Sequence, residues 1–334
     1  MHSPAAWTRA LPASILVSAL VFFLALVMGS RASAHETFAG WLEGVRVEAA
    51  SRGISQATIE AALTDLEPIA RIIELDRNQP EFTLSFKEYL DLVASASRIE
   101  TGRLKLAEHR AVLEEVDGRF GVAPRVIVAL WGIETDFGHR PGTFPVIGAL
   151  ATLAYDGRRG AYFRGELFDA LAILEEGHIE PERMIGSWAG AMGQNQFMPS
   201  SFRRYAVDYD GDGRRDIWTA PGDIFASAAN YLVGSGWRRG QPWGHKVVLP
   251  SDFDPALADL EVVKRVGEWQ ALGVRGADGD ELAPGDRLAS VVLPDGPQGP
   301  AYVIYDNYRA LLKWNRSIFF ATSVGYLADR IGGG

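Results

Sequence analysis

Apolar residues recur at three- and four-residue spacing from His35 to about Leu113, as in Phe38, Trp41, Leu42 and Val45, then Ile54, Ile59, Ala62 and Leu63. That period lines one face of successive helices. Ser55, just before Ala57 and Thr58, has the character of an N-cap, and Asn78-Gln79-Pro80 predicts a break between helices. Gly121-Val122-Ala123-Pro124 then introduces a helix with Pro124 in its first turn. Its apolar positions Ile127, Leu130, Trp131 and Ile133 predict burial, and Gly138 and Pro141 end it soon after Glu134. Further helices are expected over about 160–177, 200–207 and 222–234.

Past Gly244 the pattern shortens. His245–Leu249, Leu288–Leu293 and Ala301–Tyr305 are β-like runs separated by Gly, Pro and Asp turns. A last helix is expected from about Ala310 to Ile331. The fold class predicted is mainly α, with α+β character. A helical N-terminal part spans 35–113, a helical core 114–244, a β-rich insertion 245–308 and a returning C-terminal helix 309–334. No internal repeat or low-complexity tract interrupts this order.

The first 34 residues belong to another kind of segment. Arg9, the apolar stretch Ile15–Met28 and Ala32-Ser33-Ala34 before His35 have the layout of a cleaved secretory signal, with a retained anchor as the alternative. The apolar stretch is short for a span, which needs about 20 residues. The chain contains no cysteine, which excludes disulfides, thiolate metal sites and cysteine nucleophiles. It also excludes a lipid anchor on a processed N-terminal cysteine, so the expected location is the periplasm. With 47% apolar and 22% charged residues in 334, the remainder is an ordinary globular protein with ample core. A net charge of −9 argues against nucleic acid as a partner, since phosphate binding needs a cationic surplus.

Three constellations carry chemistry. In Trp131-Gly132-Ile133-Glu134-Thr135-Asp136-Phe137-Gly138, a carboxylate ends an apolar helix between aromatic residues. Burial and the negative helix C-terminus both disfavour its ionised form, as a general acid at neutral pH requires. A helix-end glutamate bonded to a nearby loop fits the same octet. Gly186–Ser200 is rich in small residues that admit close backbone approach, and its Gln194, Asn195 and Gln196 amides suit sugar hydroxyls and acetamido groups. A tight turn packed on a helix fits it as well. No lysine follows the glycines, so it is not a phosphate loop. Asp208-Tyr209-Asp210-Gly211-Asp212-Gly213 opens like a calcium loop, with oxygens at alternate positions and glycine sixth. Thr219 occupies the twelfth position, where a carboxylate belongs, and Asp223 is the candidate replacement; a solvated acidic turn before a helix fits the run as well. His109, His139, His178 and His245 are scattered and form no zinc motif.

Taken together, these segments resemble the lytic murein transglycosylase B family, the slt-type enzymes of glycoside hydrolase family 103, over nearly all of the mature chain. The resemblance rests on Gly132-Ile133-Glu134-Thr135, Ala149–Ala154, Ala189–Gly193 with Gln196–Ser201, Tyr205–Asp208, Ala229-Asn230-Tyr231 and Trp314-Asn315-Arg316-Ser317. It implies a lysozyme-like helical core and cleavage of the β-1,4 bond between N-acetylmuramic acid and N-acetylglucosamine of peptidoglycan without water, leaving 1,6-anhydromuramoyl ends. Glu134 would act as acid and then as base. The resemblance also implies sugar contacts for Ser187 and Gln196 and groove positions for Tyr231 and Asn315. Tyr89, Arg158, Arg159 and Tyr162 match more loosely. No cofactor is implied for catalysis. A structural Ca2+ is implied at Asp208, Asp210, Asp212, the Arg214 carbonyl and Asp223. Expected partners are peptidoglycan glycan strands, with cell-wall synthases or envelope machinery as candidate protein partners of a monomer.

Two positions depart from the family pattern. Gln194-Asn195 replaces a Tyr-Gly of some members, and Phe320 stands where a tyrosine often follows the Asn315 motif. Both bear on sugar subsites rather than on the chemistry. A hydrolytic muramidase on the same core and a non-catalytic peptidoglycan-binding scaffold are the alternative functions.

Overall fold

A computed structural model of the chain describes residues 37–77, 84–282 and 286–333. The signal segment and the Asn78-Gln79-Pro80 break lie outside them. Two compact units are distinguished, Met1–Gly44 and Val45–Gly334. Of the first, only residues 37–44 are described, and helix α1 (Phe38–Ser51) begins there.

In the second unit, helices α2 (Gln56–Leu63), α3 (Ala70–Arg77), α4 (Phe86–Val93), α5 (Ala96–Glu108) and α6 (Arg110–Phe120) lead to α7 (Pro124–Thr135). Ser55 does cap α2, its hydroxyl accepting from Thr58 N at 3.3 Å. Pro124 occupies the first turn of α7, where a missing N–H costs nothing. Every residue from Val126 to Gly132 is buried, because α7 is packed by α5, α6, α11 (Pro221–Gly234) and α14 (Ile318–Ile331). A helix apolar all round can only be central. Helices α8 (Val146–Asp156) and α9 (Gly160–Glu175) pack together, and α10 (Pro199–Tyr205) lies on α9.

The β-rich region is a five-stranded antiparallel sheet of order β4-β6-β7-β3-β5, built from β3 (Gly244–Val248), β4 (Lys264–Arg265), β5 (Arg275–Gly276), β6 (Leu288–Val292) and β7 (Ala301–Ile304). Two further strands, β1 (Phe144–Pro145) and β2 (Ile185–Gly186), pair elsewhere. The sheet and α12 (Val266–Ala271) share a small core in which Trp269 is fully buried, its indole N–H donating to Ala289 O at 3.0 Å. The sheet is fastened to the helical body at the start of α4, where Asp295 accepts the Phe86 and Lys87 N–H groups. A carboxylate at a helix N-terminus is favoured by the orphan donors and the dipole.

The single C-terminal helix expected from the pattern is two helices, α13 (Asp306–Trp314) and α14. Asn315 leaves helical geometry at φ −141° and ψ 125°. Its Oδ1 accepts from Ser317 N at 3.0 Å, and Ser317 Oγ caps α14 by accepting from Phe320 N at 3.3 Å. Short polar side chains that satisfy the backbone outside a helix favour such a break.

Candidate active site

Glu134 is the penultimate residue of α7 and is half-buried. The helix ends abruptly behind it: Asp136, Phe137 and Gly138 have φ of 52°, 58° and 84°. Three successive left-handed residues cannot extend an α-helix, and the two with side chains are strained there. Asp136 turns to Arg98 on α5 at 3.3 Å, so the acid nearest in sequence to Glu134 has its own cation. Phe137 packs edge-on against Trp131, ring centroids 5.6 Å apart.

Against Glu134 is a pocket of about 10 Å³ lined by Ile127, Leu130, Trp131, Ile224 and Phe225, and by Asn195 as well. That is at or below the space one water needs. The carboxyl therefore has an apolar floor, and burial lifts its pKa from 4.5 to about 7. The opposing influence is Trp314, whose indole N–H donates to Glu134 Oε1 at 2.7 Å and favours the ionised form. Trp314 was not singled out from the sequence, although it directly precedes Asn315 in the Trp-Asn-Arg-Ser run.

Trp314 carries an aromatic wall. Tyr231 on α11 lies 4.7 Å from it by ring centroid and Phe197 5.3 Å. Tyr205 lies 4.5 Å from Tyr231. The Tyr231 hydroxyl donates to Lys313 O at 2.7 Å, fixing the ring against the end of α13. Tyr231 thus packs on the indole that bonds Glu134, while Asn315, the next residue after Trp314, is exposed.

The small-residue segment folds onto the turn that follows Glu134. Gly142 takes φ 102°, and a Cβ there would overlap the Gly186 carbonyl, so only glycine admits this approach. Ser187 sits in a tight loop, its N–H donating to Ala191 O at 2.8 Å and its hydroxyl accepting from Ala191 N at 3.1 Å. Gln196, at φ 50°, donates from its amide to Pro141 O and Gly193 O, each at 3.0 Å. The expectation that all three amides of this segment face sugar is corrected for two of them. The Gln194 amide is engaged by Trp131 Nε1 and Trp218 O, each at 2.7 Å. The buried Asn195 donates to Ile224 O at 2.8 Å.

Arg158 and Arg159 meet at a different carboxylate. Both bond Asp76 at 2.7 Å, and Asp76 is 3% exposed. The Arg158 hydrogen bond chiefly holds the Asp76 carboxyl below its ordinary range, and Arg159 adds to it. Two half-exposed guanidinium groups on one buried carboxylate leave a local positive excess. Tyr162 is half exposed, with its pKa pushed up to about 12 by burial and by Glu166. Glu166 itself accepts Ser200 N–H and O–H at 2.9 and 2.7 Å. Tyr89 on α4 lies 5.8 Å by centroid from Phe319.

In the acidic loop, carboxylate oxygens of Asp208, Asp210 and Asp212 lie within 4.8 Å of one another. Asp208 also accepts Gly211 N and Gly213 N at 2.8 and 3.0 Å. Convergent carboxylates on a tightly turned backbone are the donor set of a hard dication such as Ca2+. Asp223 stands apart from the three: its two oxygens accept Tyr209 N at 2.8 Å and Asp216 N at 2.7 Å. Burial raises the Asp223 pKa and Asp210 and Asp208 add to the rise, while the two N–H groups pull it down. Thr219 donates its hydroxyl to Asp216.

Residues 37–329 match the transglycosylase SLT domain. The chain belongs to this family. It is a peptidoglycan lytic transglycosylase with a lysozyme-like helical core. The membrane-bound lytic murein transglycosylase B of Escherichia coli (strain K12) is 28% identical over 290 residues, 84% of this chain and 79% of that one. SltB3 from Pseudomonas aeruginosa, solved in complex with NAG-anhNAM-pentapeptide, is 46% identical. The match covers 90% of this chain and 80% of that one at a TM-score of 0.87. Escherichia coli Slt35, solved in complex with calcium, is 26% identical over 87% of this chain and 92% of that one, with a TM-score of 0.76. Among the described residues of this transglycosylase, no helix is long and apolar enough to cross a membrane.

Proposed function

We propose that Glu134 is the single acid and base of this lytic transglycosylase. The observation that carries the proposal is a carboxyl with an apolar floor and one neutral N–H donor, its pKa near 7. Glu134 protonates the oxygen that leaves C1 of the muramoyl residue as the glycosidic bond breaks. The carboxylate so formed keeps the Trp314 hydrogen bond, which is strengthened by the charge. It then removes the proton of the C6 hydroxyl while that oxygen bonds C1, so no water is consumed. A pKa near the working pH serves both halves of this cycle. Ordinary glycosidases use a second carboxylate. With Asp136 turned to Arg98, the substrate's own acetamido group is the candidate stabiliser of C1.

Ser187 and Gln196 contact the sugar at the scissile bond, Tyr231 and Asn315 line the groove, and Tyr162 and Tyr89 offer aromatic faces to sugar rings. Arg158 and Arg159 hold lactyl or peptide carboxylates through the positive excess above Asp76. Calcium is structural, held by Asp208, Asp210, Asp212 and the Arg214 carbonyl, with Asp223 closing the loop around it; the calcium complex of Slt35 supports this. Residues 1–34 direct export to the periplasm. Digestion of sacculi in heavy-oxygen water tests the chemistry: anhydro ends free of label are expected. Labelled reducing ends would make the protein a muramidase.

A further inference from the structure

Gln194 makes more of the connections around the candidate acid than any sugar-binding role requires. Its Oε1 accepts from Trp131 Nε1 and its Nε2 donates to Trp218 O, each at 2.7 Å. Its own N–H donates to Ile217 O at 2.8 Å, and its carbonyl accepts from Thr135 Oγ1 at 3.0 Å. The amide also lies against Gly138, where a Cβ would overlap its oxygen. One residue therefore touches positions 131, 135 and 138, on both sides of Glu134, and fastens them to the segment that leaves the acidic loop.

Those positions need a fastening. Asp136 and Phe137 are held in left-handed geometry that side chains disfavour, and such geometry persists only where its surroundings over-determine it. Thr135 is the hinge: its hydroxyl accepts from Gly138 N at 3.1 Å and donates to Gln194 O. Trp131 forms part of the apolar floor beneath Glu134, so the bond that sets its indole also sets what the carboxyl rests on.

We propose that Gln194 is a positioning residue for the lytic reaction, holding Trp131 and the Thr135–Gly138 turn so that Glu134 keeps its place over a dry floor. It does not contact sugar, since both ends of its amide are bonded within the protein. This rests on Glu134 being the acid and deepens that assignment. The charged groups around this region are Arg98 and Arg140, which face Asp136, Lys105 over the Trp131 ring, and His109 against Trp131. None of them contributes to the rise at Glu134, which is set by burial and opposed by Trp314.

The test is Gln194→Leu, which keeps the bulk and removes both hydrogen bonds, assayed on a soluble uncrosslinked NAG-NAM-peptide glycan. Misplacing a catalytic group by about an ångström costs up to about a hundredfold, so kcat is expected to fall about 10- to 100-fold, with KM within about twofold. The alkaline limb of the kcat–pH profile is expected to move to lower pH as water reaches the floor. Trp131→Phe removes the same donor from the other side. It should reproduce both changes, and the double variant should lose less than the product of the two. If Gln194→Leu fails to fold, Trp131→Phe alone decides. An unchanged kcat and alkaline limb, or a change confined to KM, overturns the proposal. Glu134→Gln is run beside them: full activity there would remove the acid assignment itself, whatever the Gln194 variants do.

Discussion

The burial of Glu134 has a cost that can be measured without substrate. Its pKa rises from 4.5 to about 7 in the folded enzyme, so the folded state favours the neutral carboxyl more than the unfolded chain does. The stabilisation this gives is complete below pH 4.5 and is lost as the pH rises through 7. At about 1.36 kcal/mol per pH unit, the loss approaches about 3 kcal/mol by pH 8. Glu134→Gln has no proton to lose. It keeps an oxygen for the Trp314 N–H, and any penalty from its amide protons is independent of pH. The stability of Glu134→Gln relative to the native protein should therefore climb by about 3 kcal/mol between pH 4 and pH 8, with most of the climb above pH 5. In a chain of this size that is a relative gain in melting temperature of roughly 6 °C. Urea unfolding of both proteins at half-unit pH steps measures the difference, and every other titration cancels. A flat difference across pH 5–8 would mean that the carboxyl is hydrated and ordinary, and the acid role would lose its physical basis.

Trp314→Phe removes the hydrogen bond that favours the ionised form, so the alkaline limb of kcat should move up by about one pH unit, the worth of a hydrogen bond to a charged group; a limb that stays or falls refutes the role given to this indole. Gly142→Ala drives a Cβ into the Gly186 carbonyl and should destabilise the fold by several kcal/mol, about the upper end for single substitutions, as read by thermal denaturation. Millimolar calcium should raise the melting temperature of the protein and not that of Asp210→Asn; equal responses would move the ion elsewhere. Arg158→Ala should raise KM for peptide-bearing glycan several-fold while sparing kcat, and an unchanged KM would return this arginine to a purely structural part.

Much of this was legible in local pattern. Pro124 followed by apolar residues with no polar stripe can only be an internal helix, and α7 is that helix. The change from a period of three and four to short alternating runs marked the sheet, and aspartates at alternate positions marked the acidic loop. What local pattern does not carry is pairing across the chain. Asp76 lies 82 and 83 residues before Arg158 and Arg159, and no periodicity joins them. Gln194 and Asn195 have the side chains of sugar binders, yet their partners at Trp131, Trp218 and Ile224 draw them inward. The break at Asn315 was hidden because apolar residues on both sides keep helical spacing while two polar side chains quietly end one helix and start another.

The sheet and the Glu134 carboxyl are joined by a very short stretch of chain. Strand β7 ends at Ile304, α13 begins at Asp306, and α13 ends at the tryptophan that grips Glu134. The β region is therefore less an ornament than a lever arm, with its far end planted on α4 through Asp295. Lengthening or shortening the path between Ile304 and Asp306 would rotate the grip away from its target. Grafts that exchange this region between relatives should keep that one-residue joint intact.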